Sequence, residues 1–296
     1  MSQRETVRLD DEEEIPSAEP GLSEKEQAKV EEKQRPRAPV LYEIIRLEGE
    51  NELGRPAMSL WWSGFAAGIS IGFSFLTEAA LAALLPKAEW AHIISALGYT
   101  TGFIMVILGR QQLFTENVLT AVLPVVARRK LSWFIGMLRL WGIVLAANVA
   151  GCLVFACAIA FLPMVNTAIS SEMANLLHTF MENSVLDMFA KGIVAGWLIA
   201  AVVWMLPSAG GMEIFVIGLL TYLISLFRLT HIVAGSAEAF YGWVSGLTGA
   251  HDVILKFFLP TLAGNVVGGT VLFSVLSYAQ VRHEIFEKET REKYGP

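Results

Sequence analysis

Residues 212–246 make an apolar run long enough to cross a bilayer, yet Phe227-Arg228-Leu229-Thr230-His231 interrupts it. A histidine is costly at such a depth. Intramembrane ionisable groups face a protein interior or a wet cavity, and they mark ion or proton pathways. Gly235, Ser236 and Glu238 follow on the far side of the break. An earlier apolar run is broken in the same way by Arg110-Gln111-Gln112-Leu113-Phe114-Thr115-Glu116-Asn117. Two broken membrane segments, one in each half of the chain, suggest a transporter or channel.

Composition agrees with a membrane domain between polar tails. Hydrophobic residues make up 54% of the chain and charged ones only 17%. Most of those charges lie before residue 58 or after residue 281, so the middle is poor in them. Residues 1–39 read as a disordered acidic cytoplasmic tail, with a short helix expected at 23–34. Residues 40–57 read as an interfacial helix and linker, in which Leu41, Ile44 and Ile45 share a face. Residues 58–281 form the transporter domain, and 282–296 a cytoplasmic C-terminal tail. No cleavable signal peptide is expected, because the start is acidic and polar. Cys152 and Cys157 fit small buried hydrophobes. No basic stretch interleaved with aromatics is present, which argues against nucleic-acid binding.

Six spans are expected, at about 59–85, 91–126 with a break at 109–115, 131–162, 188–206, 212–246 with a break at 227–231, and 253–281. Lys and Arg crowd the N-tail, the Arg128-Arg129-Lys130 loop and the C-tail. Both termini are therefore expected in the cytoplasm. Residues 163–187 then fall outside, where Met173, Leu176, Leu177 and Phe180 suggest a surface-lying amphipathic helix. Span three contains Asn148-Val149-Ala150-Gly151 and span six Asn265-Val266-Val267-Gly268. An Asn-x-x-Gly recurring after an odd number of spans implies two halves of opposite orientation. The expected fold is thus an all-α membrane protein with an inverted repeat, three helices plus three, the second and fifth broken.

Taken in order along the six spans, these pieces resemble the formate/nitrite transporter family, and within it the YfdC-type inner-membrane members. Leu113-Phe114-Thr115 resembles the family's Ω-loop in the broken second helix, and His231-Ile232-Val233-Ala234 its histidine motif in the fifth. Ile71-Gly72-Phe73-Ser74-Phe75 in the first span and the two Asn-x-x-Gly elements fit as well. The resemblance implies an aquaporin-like protomer in a bacterial inner membrane, assembled as a homopentamer with one pore per protomer. It implies a substrate among small monovalent weak-acid anions such as formate or nitrite, without cofactor. Thr115 and His231 match the family's central pair, and Tyr99, Phe103, Leu113, Phe114, Ile199 and Ile224 its apolar constrictions. Three departures concern the substrate. Residues 178–187 lack the outer-vestibule lysine of the family, and Gly196 and Gly235 stand where asparagines are usual.

Chemically, a bare anion pays heavily for losing its hydration in an apolar constriction. Backbone N–H groups at a half-helix N-terminus offset part of that cost, and a proton donated to the anion removes most of it. Histidine suits the second task. Thr115 either touches the substrate or satisfies loop backbone, while Asn148 and Asn265 read as bonding the backbone that the breaks expose. Gly64, Gly68 and Gly72 read as packing glycines. Glu238 has three readings: pairing with Arg228, Arg110 or Lys191, facing the outer vestibule, or tuning His231. Arg110 either pairs with Glu116 or snorkels. A pore for a small neutral solute or a cation is the alternative function. An enzyme is disfavoured, since no metal-ligand cluster or His-Glu-x-x-His pair occurs.

Overall fold

Backbone in lipid must bond to itself, so long apolar sequences become long helices. The computed structural model describes residues 36–282 together with Ser23, Lys25 and Glu26. The helix expected at 23–34 and the two polar tails lie almost wholly outside the described residues. All regular structure among the described residues is helical. Helix α1 covers Ala38–Leu53, α2 Ala57–Leu84 and α3 Ala91–Leu108. Two short helices follow, α4 at Phe114–Thr120 and α5 at Val122–Arg128. Then come α6 (Leu131–Phe161), α7 (Thr167–Met181) and α8 (Val185–Met205). Helices α9 (Glu213–Leu226), α10 (Ile232–Val244) and α11 (Asp252–Arg282) complete the chain.

Five of these, α2, α3, α6, α8 with its extension to Ser208, and α11, are long and apolar enough to cross a membrane. Helix α9 is apolar but has only 14 residues. Helix α3 reaches spanning length before its break, whereas α9 does not. Helix α7 occupies the stretch expected to hold an amphipathic helix, and buries Met173 and Leu177.

The two breaks are built alike. After α3 the chain turns through Arg110 at φ 53°, and Gln111 N–H returns to Val106 O at 3.0 Å. After α9 it turns through Arg228 at φ 49°, and Leu229 N–H returns to Ile224 O at 2.8 Å. A left-handed residue followed by such a bond closes a helix C-terminus. Each break then runs extended through a residue that starts the next helix, Leu113 in one and His231 in the other.

Two buried asparagines satisfy the backbone thus exposed. Asn148 on α6 accepts Phe114 N–H at 2.9 Å and donates to Gln112 O and Gly64 O, both at 2.8 Å. Asn265 on α11 accepts Ile232 N–H at 2.8 Å and donates to Thr230 O at 3.0 Å and Gly192 O at 2.8 Å. The helices carrying them sit almost backbone to backbone with their neighbours. A Cβ on Gly68 of α2 would lie 2.1 Å from Asn148 O, and one on Gly196 of α8 would lie 2.3 Å from Asn265 O. Gly196 therefore holds a crossing point, where a larger residue would separate α8 from α11.

Helix α1 docks on the far side of α4. Tyr42, Ile45 and Gly49, spaced by three and four, are its buried face. Pro124 has no N–H to give Thr120 O, so that carbonyl is open to a neighbour, and Gly49 packs directly over it. Arg128 bonds Glu50 at 2.9 Å from the end of α5, and Arg46 joins the same carboxylate. The bond from Arg128, with Arg46 beside it, holds the Glu50 carboxyl below its ordinary range. Within α11, π-helical turns occupy Asp252–Phe258 and Val267–Ser274. The first lies just ahead of Pro260, which cannot donate to Lys256 O and crowds it, so the helix widens there.

Candidate functional site

His231 is 1% exposed and caps α10, with Nδ1 accepting Ala234 N–H at 3.2 Å. Its Nε2 lies 2.7 Å from Thr115 Oγ1, on the second residue of α4. The two breaks therefore meet, side chain to side chain. The capping bond also fixes the ring's chemistry. Nδ1 must carry a lone pair to accept an N–H, so the ring hydrogen is on Nε2 and the imidazole is neutral. Nε2–H then donates to Thr115 Oγ1, which leaves the threonine hydroxyl hydrogen free to donate onward. The result is a chain of donors that ends in a hydroxyl able to bond a solute oxygen.

Apolar side chains surround this pair. The Phe103 ring stands edge-on to the imidazole, with centroids 5.0 Å apart, and Tyr99 lies 5.3 Å further along α3. Leu113, Phe114, Ile199 and Ile224 are all buried in the same apolar core. Phe114 packs its ring against Trp141 of α6 at 5.7 Å. Tyr99 is the least buried of the six and faces a cavity.

That cavity has a volume of about 370 Å³ and ends on His231 and Ala234. It opens between α2, α3, α7, α8 and α10. Its charged lining comprises Glu78, Glu182, Asp187, Lys191, Arg228 and Glu238. Four carboxylates thus face two cations, an excess of two negative charges when all are ionised. Residues 178–187 supply no lysine to the cavity, but Lys191 from within α8 faces it. Gly235 is also explained by its surroundings. A Cβ there would meet Phe257 at 2.8 Å and Phe180 at 2.9 Å, aromatic rings that fill the space of a larger side chain.

Of the alternatives for Glu238, the structure favours the vestibule-facing one. It lines the cavity, and among the described residues no ion pair includes it or Arg228. Arg110 pairs with Glu48 of α1 at 3.0 Å and not with Glu116, because α1 brings a carboxylate across the first break. Glu116 is half-buried on α4 near that mouth.

Two functional positions were missed by reading the sequence. Glu78 on α2 is 7% exposed and faces the cavity, its Oε1 accepting the Ser225 hydroxyl at 2.6 Å. It is a lone acid within an apolar span, the same signal that singled out His231. Gln112 joins the first break to α1, α2 and α6: its N–H donates to Ser63 Oγ, its Nε2 to Glu52 at 2.9 Å, and its O accepts from Asn148. A glutamine flanked by polar neighbours gave no such signal.

Comparison with known proteins agrees with this architecture. Residues 39–279 match the family described as formate/nitrite transporter. The chain belongs to the formate/nitrite transporter family. It is 44% identical over 256 residues to the inner membrane protein YfdC of Escherichia coli strain K12, covering 86% of this chain and 83% of that protein. It is 24% identical over 262 residues to the formate channel FocB of the same strain, covering 76% and 88%. Among solved structures, a pentameric formate channel with formate bound superposes with a TM-score of 0.64 at 20% identity, over 77% of this chain and 98% of that one. A second family ion channel gives 0.65 at 20% identity, over 82% and 96%. At that identity the superpositions establish the fold. Family membership makes the chain a membrane channel or transporter rather than an enzyme.

Proposed function

We propose that the protein passes small monovalent weak-acid anions, formate- or nitrite-like, across a bacterial inner membrane, with proton exchange along a path through His231 and Thr115. The observation that carries this reading is the 2.7 Å contact between His231 Nε2 and Thr115 Oγ1, at the meeting of two broken helices. A neutral ring donating to a threonine leaves one hydroxyl donor for an oxyanion or its acid. The N-terminal end of α10 adds a favourable dipole for negative charge. Phe103, Tyr99, Leu113, Phe114, Ile199 and Ile224 serve as the apolar walls on either side, through which the neutral acid passes more easily than the anion.

The corresponding breaks, Arg110 with Arg228 and Asn148 with Asn265, support an inverted repeat of three plus three spans, with α9 and α10 together making the fifth. The positive flanks support cytoplasmic termini and the segment order given above, tail, interfacial helix, transporter domain and tail. The pentameric formate channel supports assembly as a homopentamer.

One observation favours the alternative of a neutral or cationic solute: the acidic excess of the cavity, which opposes entry of a bare anion. Flux through the full chain in proteoliposomes, with formate, nitrite, acetate, ammonium and glycerol compared, separates the two. His231→Phe roughly keeps the pocket volume and removes both ring nitrogens. It should abolish acid uptake while the protein still folds and assembles. Unchanged flux and pH profile in that variant would remove His231 from the path.

A further inference from the structure

The cavity holds a device that the His231 site does not use. Glu78 and Glu238 come from different helices, α2 and α10, and face the same cavity. Glu78 is buried and is held by the Ser225 hydroxyl through one oxygen, so its second oxygen is free toward the cavity. Glu238 lies two helical turns beyond His231, about 10 Å along α10. Arg228 and Lys191 face the same space, Lys191 also bonding Asn183.

Proton exchange needs a donor, and His231 in this geometry is a poor one. Its ring is neutral. Giving up Nε2–H would leave an imidazolate, and taking a proton on Nδ1 would set two N–H groups against each other at Ala234. We propose that Glu78 and Glu238 form the proton-donating station of the path, placed ahead of His231. An incoming weak-acid anion, drawn to Arg228 and Lys191, accepts the proton of a Glu78 or Glu238 carboxyl. The carboxyl O–H bond breaks, an O–H bond forms on the substrate, and the resulting carboxylate takes a fresh proton from hydronium ion of the solution to which the cavity opens. The neutral acid then meets the Thr115 hydroxyl. In the opposite direction the departing acid returns its proton to the carboxylate.

Charge balance supports the assignment. With both glutamates ionised the cavity carries its excess of two negative charges and repels an anion. With both protonated, Glu182 and Asp187 balance Lys191 and Arg228, and the barrier to entry falls. The same protonation that supplies the acid therefore admits the anion. The other ionisable groups that face the space are His92 and Tyr99 of α3 and His231 itself.

This inference rests on the weak-acid reading above, and the test separates the two. Formate and acetate uptake by the full chain in proteoliposomes is measured across about pH 5 to 8. Wild type is compared with Glu78→Gln, Glu238→Gln, the double variant and Glu238→Asp, and glycerol permeation is followed in each. The double glutamine variant should lose uptake by about 10²-fold, the low end of what a positioned acid supplies, and each single variant part of that. The loss should be greatest toward acidic pH, where the wild-type carboxyls carry the protons they donate, and Glu238→Asp should recover much of it. Ser225→Ala keeps both carboxyls and should shift the pH midpoint alone, so a folding defect in Glu78→Gln does not decide the matter. Glutamine variants with wild-type rate and profile, or with faster uptake at every pH, would overturn the donor assignment. A wild-type protein that moves neither acid would instead overturn the weak-acid reading.

Discussion

Replacing Asn265 by leucine, close to it in volume, isolates what the asparagine does for the break above α10. Three bonds are lost: to Ile232 N–H, Thr230 O and Gly192 O. They are not equal. Gly192 lies inside α8, so its carbonyl keeps the helix's own bond. Ile232 N–H and Thr230 O belong to the broken segment, are fully buried, and have no lipid-side or water alternative. An orphaned buried group costs about 1–3 kcal/mol, so the two together cost about 2–6 kcal/mol. Hydrogen bonds in membrane proteins average only about 0.6 kcal/mol each, which for three bonds gives about 2 kcal/mol. That average includes bonds whose partners find substitutes in the unfolded state. Extended backbone pinned between helices finds fewer, so a loss near 3 kcal/mol is expected. Reversible unfolding in mixed detergent and SDS, followed by tryptophan fluorescence, measures it. Asn265→Asp keeps the acceptor for Ile232 N–H but turns oxygen toward two carbonyls, and should be at least as damaging. A loss below about 1 kcal/mol for Asn265→Leu, with flux intact, would refute the reasoning, since the asparagine would then be dispensable to the break.

Gly68→Val drives a side chain into Asn148 O and should destabilise by about 1–3 kcal/mol in the same unfolding assay. Gly142→Ala is its control: a Cβ there meets nothing within 4 Å, and stability should hold or rise. For α1, the Glu50 carboxyl sits below its ordinary value because of Arg128 and then Arg46. A lowered carboxyl stabilises the docked state above its unfolded value, about pH 4.3, and that contribution fades as pH falls through the lower folded value. Protection of the α1 amides relative to their intrinsic exchange rates should therefore fall in acid, and Glu50→Gln should show the lower protection already at neutral pH.

The long apolar helices and both breaks were legible because each depends on local pattern, whereas the pairing of Thr115 with His231 came from the family resemblance. Apolar runs of the right length announce helices, and polar strings inside them announce interruptions. Asn148 and Asn265 were legible from their repeated surroundings. Partner choice was not. Arg110 has Glu116 nearby in sequence but finds Glu48, because α1 folds back over the first break. Lys191 reads as a helix-start charge until α7 and α10 enclose it in a cavity. The π turns of α11 needed Pro260 to be weighed inside a span rather than at its end.

Gly235 and Glu238 together show how the vestibule departs from the usual family arrangement while keeping the family fold. The glycine yields its space to Phe180 and Phe257, so no amide stands beside His231 on that face of α10. With that donor gone, the free hydroxyl of Thr115 is left as the polar contact at the ring, and it can serve a neutral acid or an anion alike. Discrimination then falls to the cavity, where carboxyls outnumber cations. A vestibule lined chiefly by cations would gather anions and leave their protonation to the bulk. One whose excess carboxyls must first be protonated gathers anions only when protons are at hand. On the proposed weak-acid reading, the identity of the acid matters less at this mouth than its affinity for a proton, and substrates more basic than formate should be favoured. A rank order of uptake that follows substrate basicity in wild type, and collapses in Glu78→Gln, is the signature to seek; an order set by size alone would place selection at Phe103 and His231 instead.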